Sequence, residues 1–143
     1  MELNRTLTKH IAIVDDNADI RESLAELLEL ADYDVSVFAS ADAAHRIINA
    51  DYPGVIISDL RMPGMDGMSF LKHMQAIDKQ LPVIMITGHG DIQTAVEAIQ
   101  LGAYDFIAKP FQREGLLETV NRAMDKRRLV MENRVLKLSL ENS

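Results

Sequence analysis

The feature that most constrains this chain is an alternation. Short strand-like runs, most of them apolar, recur along it, and each is followed by a segment of helical period. The runs are Ile11-Ala12-Ile13-Val14, Asp34 to Ala39, Val55-Ile56-Ile57-Ser58, Pro82-Val83-Ile84-Met85-Ile86 and Asp105-Phe106-Ile107-Ala108. Unbroken apolar runs suit strands buried on both faces. Between them, residues 18–31 carry Ile20, Leu24, Leu27, Leu28 and Ala31 at helical spacing, with Asp19 and Glu22 where the helix dipole favours acids. Ser40 is placed to cap a helix over 41–50. After the turn-rich Met62–Gly67 loop, a helix over 68–77 turns Phe70, Leu71 and Met74 inward. A helix over 91–101 stops at Gly102, and a last, long one starts near Arg113. Strand–helix repeats of this kind predict an α/β three-layer sandwich, with parallel strands joined by right-handed crossovers.

In such sheets functional groups gather beyond the carboxyl ends of the strands. That rule selects residues. Asp15 and Asp16 end the first strand, Asp59 the third, Thr87 the fourth and Lys109 the fifth. Three clustered carboxylates repel one another. A divalent cation resolves the conflict, and Mg²⁺ suits carboxylate and phosphate oxygens best. A carboxylate beside the metal can attack a phosphoryl group and form an acyl phosphate. The metal and a Lys then balance the phosphoryl charge, and a Thr hydroxyl donates to a further oxygen.

Composition narrows the class. The chain has no Cys, which excludes disulfides, zinc fingers and thiolate nucleophiles. Its formal charge is −7. Residues 1–111 hold 17 acids and 8 bases, whereas residues 112–143 hold 5 acids and 7 bases. This balance argues against direct nucleic-acid binding by the chain. No apolar run approaches the ~20 residues of a membrane span, and Met1 to His10 lacks a signal-peptide core, so a cytoplasmic location is expected.

The runs Ile13-Val14-Asp15-Asp16, Ser58-Asp59-Leu60-Arg61-Met62-Pro63-Gly64-Met65-Asp66-Gly67, Thr87-Gly88 and Lys109-Pro110-Phe111 resemble the receiver domain of two-component response regulators. The likeness covers about residues 8–125. It implies a flavodoxin-like (βα)5 fold with sheet order 2-1-3-4-5. It also implies that Asp59 accepts a phosphoryl group from a sensor histidine kinase. Mg²⁺ would be held by Asp16, Asp59 and the backbone carbonyl of Arg61, with Asp15 acting through water. Lys109 would contact the phosphoryl group, and the bond to Pro110 would be cis. Thr87 and Phe106 match the family's coupled switch positions. Where many relatives carry Tyr, Phe106 has no hydroxyl, so its inward state leaves no polar group unpaired. His89, two residues past Thr87, is either a residue that tunes phosphate lifetime or a plain surface histidine. The resemblance implies no enzyme beyond self-catalysed phosphorylation and dephosphorylation of Asp59.

Rival chemistries fail on residues. A dehalogenase-type phosphatase needs a second Asp where Arg61 stands. Neither a Gly-x-Gly-x-x-Gly nor a Walker A loop is present.

Thr87-Gly88-His89-Gly90-Asp91-Ile92 and Gly102-Ala103-Tyr104-Asp105-Phe106-Ile107 resemble the NtrC-type branch, whose members activate σ54 polymerase through an AAA+ ATPase. Lys126-Arg127-Arg128-Leu129-Val130-Met131-Glu132-Asn133-Arg134 is similar to the regulators of C4-dicarboxylate transport within it. From Arg113 to about Leu140 the only Gly is Gly115 and there is no Pro, which predicts a helix ~40 Å long. The resemblance implies a receiver over residues 1–124 and a helical coiled-coil linker over residues 125–143, leading toward an output domain expected to be absent from this chain. Beyond Met124 the helix is expected to project outward, with Lys126-Arg127-Arg128 as a solvated face. Met124, Met131, Val135 and Leu138 form an imperfect heptad seam for a homodimer. The alternatives are a stand-alone phosphorelay carrier and the receiver of a helix-turn-helix regulator.

Overall fold

A computed structural model describes residues 8–88 and 91–142. His89 lies outside the described residues. Strands β1 (His10–Val14), β2 (Asp34–Phe38), β3 (Gly54–Asp59), β4 (Val83–Thr87) and β5 (Asp105–Ala108) form one sheet in the order β2-β1-β3-β4-β5. Every pairing is parallel. Helices α1 (Ala18–Leu30), α2 (Ala41–Ile47), α3 (Gly67–Ile77), α4 (Ile92–Gln100) and α5 (Arg113–Glu141) cover it. This is the flavodoxin-like arrangement.

Strand side chains alternate between faces, so each strand feeds two cores. Ala12, Val14, Ile56, Val83 and Met85 meet Ala41 and Ala44 of α2, Phe70, Leu71 and Met74 of α3, and Ala98 of α4. Ile11, Ile13, Val55, Ile57, Ile84 and Ile86 meet Leu24 and Leu28 of α1, and Leu116, Val120, Ala123 and Met124 of α5. Full burial of such a side chain contributes about 1.5–3 kcal/mol, so these two layers dominate the stability of the sheet.

Local signals set the boundaries. The Ser40 hydroxyl accepts the Ala43 N–H at 3.2 Å and caps α2. Gly102 takes φ 111° after α4, which only Gly adopts freely. Helix α2 ends at Ile47, short of the expected residue 50. Ile48 is extended, and the Asn49 side chain accepts the Asp51 N–H at 3.2 Å, a local turn that competes with further helix.

Helix α5 departs most from expectation. It does not leave the domain at Met124. Arg127 is fully buried, and its Nη1 lies 2.9 Å from Asp78 Oδ2. Arg127 Nε donates to the Tyr52 carbonyl and Nη2 to the Ala50 carbonyl, both at 3.0 Å. Two turns on, Arg134 reaches Asp78 at 2.9 Å, Asp51 at 3.0 Å and the Gln80 side chain at 3.1 Å. The two arginines thus clamp the extension to the loops before β3 and β4. The expected solvated face Lys126-Arg127-Arg128 is divided: Arg127 is interior, Arg128 pairs with Asp125, and Lys126 lies 5.6 Å from the centre of the Tyr104 ring.

Burial pushes the Asp78 carboxyl up, but Arg134, the Gln80 N–H and Arg127 together hold it below its ordinary value of 3.8. Its contribution to stability is therefore complete above pH 3.8 and is lost as pH falls through the lower folded value. Removing one partner of a buried pair strands the other charge. Asp78→Asn should cost about 3 kcal/mol at pH 7 in urea unfolding, with the gap to wild type narrowing below pH 3.8.

Candidate functional site

The sheet register builds the site. Val14 pairs with Ser58, Asp59 with Ile86, and Thr87 with Ala108. Asp15, Asp59, Thr87 and Lys109 therefore emerge side by side at the carboxyl edge. Ligand oxygens of Asp15, Asp16 and Asp59 all lie within 4.8 Å of one another. Lys109 Nζ is 3.6 Å from Asp59 Oδ1 and 4.0 Å from Asp15 Oδ2. Asp15 and Asp59 are buried, whereas Asp16 is exposed.

Backbone contacts hold these groups in place. The Asn17 N–H donates to Asp15 Oδ1 at 2.9 Å, and Arg21 donates to the Asp15 carbonyl at 2.7 Å. Asn17 also caps α1 through the Asp19 and Ile20 N–H groups. The Lys109 N–H donates to the Thr87 carbonyl at 2.7 Å, and the Lys109–Pro110 peptide bond is cis. Behind Asp59 the chain doubles back, and the Gly67 N–H donates to the Leu60 carbonyl at 3.0 Å. A Cβ on Gly67 would stand 2.4 Å from the Asp59 carbonyl oxygen, so this turn requires glycine. The Asp66 side chain caps α3 by accepting the Ser69 N–H at 2.9 Å.

Two buried polar atoms in this edge have no hydrogen-bond partner: Asp15 Oδ2 and Thr87 Oγ1. Such atoms are rare in folded proteins and mark places where a further group is accommodated. Burial pushes the Asp15 carboxyl up, and the Asp59 and Asp16 carboxylates add to the push. The Asn17 N–H and Lys109 offset this only in part. Crowded carboxylate oxygens of this kind fit a hard divalent cation, and an unpartnered hydroxyl beside a lysine fits an anionic oxygen.

Not every expected residue joins the cluster. Phe106 pairs with Met85 on the sheet, half-buried against the α2–α4 layer. Met124, expected in a dimer seam, is 3% exposed and packs in the α1–α5 core. Met131 is half-buried, while Val135 and Leu138 are exposed. One contact escaped the sequence reading. The exposed Arg61 side chain pairs with Asp91 at 2.6 Å, tying the β3–α3 loop to the start of α4. That hydrogen bond holds the Asp91 carboxyl below its usual range. Only the spacing of two charges near neighbouring strand ends hinted at it.

Comparison with known proteins agrees with this fold. A family model described as the response regulator receiver domain matches residues 11–121. The C4-dicarboxylate transport transcriptional regulatory protein DctD of Rhizobium meliloti (strain 1021) is 52% identical over 131 residues, 92% of this chain and 28% of that protein. The chain thus spans little more than a quarter of that relative. A response regulator receiver domain protein from Clostridium thermocellum superposes with TM-score 0.81 at 31% identity, covering 85% of this chain and 98% of that one. NtrX from Brucella abortus in complex with ATP superposes with TM-score 0.79 at 36% identity, covering 90% of this chain and 30% of that one.

Carboxylate crowding has a cost in the metal-free protein. Asp15→Asn keeps the shape and the Asn17 contact but removes one buried charge. In EDTA at pH 7 it should raise Tm by about 4 °C, while Mg²⁺ should raise Tm more in wild type than in the variant. A variant that melts below wild type in EDTA would contradict the repulsion argument.

Proposed function

The chain belongs to the response regulator receiver domain family, and from that premise we propose that it is a phosphorylation switch acting at Asp59. One observation carries the reading: buried Asp59 clusters with Asp15 and Asp16 and lies 3.6 Å from Lys109, with the unpartnered Thr87 hydroxyl on the same edge. Asp16, Asp59 and the Arg61 backbone carbonyl would hold Mg²⁺, with Asp15 acting through water. When bound, Mg²⁺ supplies positive charge to the phosphoryl oxygens.

A carboxylate oxygen of Asp59 attacks phosphorus. The new O–P bond forms as the bond from phosphorus to the histidine kinase's imidazole nitrogen breaks. Lys109 balances charge on the transferred group, and Thr87 donates its hydroxyl to a phosphoryl oxygen. Movement of Thr87 toward the phosphate vacates space beside β4, and the Phe106 ring turns inward without bringing a hydroxyl. The chain promotes its own phosphorylation and hydrolysis and acts on no other substrate.

Residues 1–124 serve as the receiver and residues 125–143 as a helical linker to an output domain. Likeness to DctD and to an ATP-bound NtrX supports an AAA+ ATPase output that activates σ54 polymerase. The chain itself makes no DNA or membrane contact in this reading. Among the described residues no helix is long and apolar enough to cross a membrane, which accords with a cytoplasmic site of action. A clamped helix of 29 residues favours this role over that of a free phosphorelay carrier, which has no use for an extension.

Acetyl phosphate with Mg²⁺ should label wild type and leave Asp59→Asn unlabelled by intact mass. Full labelling of the variant would overturn the assignment. Sedimentation should find a homodimer whose state changes with a phosphate mimic; a monomer at high concentration with and without the mimic would refute the dimer.

A further inference from the structure

Helices α2 and α3 pack side by side on one face of the sheet, and each presents a histidine to the other. The His45 and His73 rings meet edge to face, with centres 5.0 Å apart and planes at 80°. Neither residue has a part in the carboxylate cluster. At 1.5 Å per residue, His45 stands about 6 Å and His73 about 9 Å down its helix from the carboxyl edge of the sheet.

The packing beneath the pair fixes its spacing. Ala41 and Ala44 of α2 are buried in one core with Phe70, Leu71 and Met74 of α3. Alanine is small enough to let the two helices approach, and the Ser40 and Asp66 side chains cap their first turns. The backbones that carry the histidines are therefore held, and only the rings have to turn.

The ring nitrogens are uncommitted. Among the described residues, no hydrogen bond or ion pair engages a ring nitrogen of His45 or His73. His73 is exposed and His45 half-buried, so an ion between them would be open to water. His45 also lies in the last turn of α2, where the helix dipole favours positive charge.

Distance decides whether two such rings can share an ion. With a metal–nitrogen bond of about 2.1 Å, the centres of two imidazoles stand about 4.6 Å apart at a right angle and about 5.3 Å apart at the tetrahedral angle. The observed 5.0 Å falls between these values. Imidazole suits zinc and copper, whereas Mg²⁺ takes oxygen ligands, so the pair and the carboxylate cluster select different ions.

We propose that His45 and His73 form a metal site apart from the carboxylate cluster, which takes a divalent ion of the zinc and copper class and clips α2 to α3. Each imidazole supplies one nitrogen, and water completes the coordination. The edge-to-face contact is the metal-free form of the site.

The test titrates ZnCl2 into the full 143-residue chain with MgCl2 in excess, so that the carboxylates keep a hard ion of their own. Binding is followed by calorimetry and by the NMR signals of the histidine rings. Zinc should bind and shift the His45 and His73 ring signals together, leaving those of His10 in place. His45→Gln and His73→Gln should each weaken the binding about tenfold or more, since each removes a ligand. Unchanged zinc affinity in both variants would put the ion elsewhere and overturn the proposal. Zinc that moves neither ring of the wild-type protein, or only one, would overturn it as well, and that readout does not depend on how either variant folds.

Discussion

The pairing of β1 with β3 governs the rest of the molecule. Val14 lies opposite Ser58, so the next residues, Asp15 and Asp59, are forced together at the edge of a sheet buried on both faces. The carboxylates do not choose this proximity. The apolar layers that flank the strands impose it, and a slip of one residue would turn every side chain to the wrong core. Burial of a dozen large apolar side chains outweighs the repulsion between a few carboxylates, and the repulsion remains as an unmet demand for positive charge.

The opposite edge carries charge as well, with another outcome. Arg127, Arg134, Asp51 and Asp78 satisfy one another and the carbonyls of Ala50 and Tyr52. Here opposite charges meet at 2.9 Å, and Asp78 Oδ2 and Arg127 Nη1, though without hydrogen-bond geometry, neutralise each other as an ion pair. At the carboxyl edge, Asp15 Oδ2 and Thr87 Oγ1 remain without hydrogen bonds. The edges differ in charge balance: the brace pairs its charges at 2.9 Å, whereas the carboxylates of the site face one lysine at 3.6 and 4.0 Å. The brace makes the first turns of the extension part of the domain body.

Much of the fold could be read from the residues. The apolar runs place all five strands to within a residue or two, and Ser40 and Gly102 mark helix ends where the backbone needs them. The strand-end rule alone brings Asp15, Asp59, Thr87 and Lys109 to one edge. The extension was less legible. Lys126-Arg127-Arg128 has the pattern of a solvated face, yet Arg127 is interior because Asp78 and two loop carbonyls, distant in sequence, surround it. Helical period cannot tell a buried arginine from an exposed one when its partner lies on another element.

What the sequence determined by itself is the set of strands, their carboxyl-edge residues and the chemistry those residues favour. Side-chain periodicity and strand-end position are local properties written in consecutive residues. What the tertiary structure alone decided is which charges are answered and which are left open. Neutralisation depends on contacts between residues far apart in the chain, such as Arg127 with Asp78, Lys109 with Asp59, and Arg61 with Asp91. These pairs exist only once packing has set the distances.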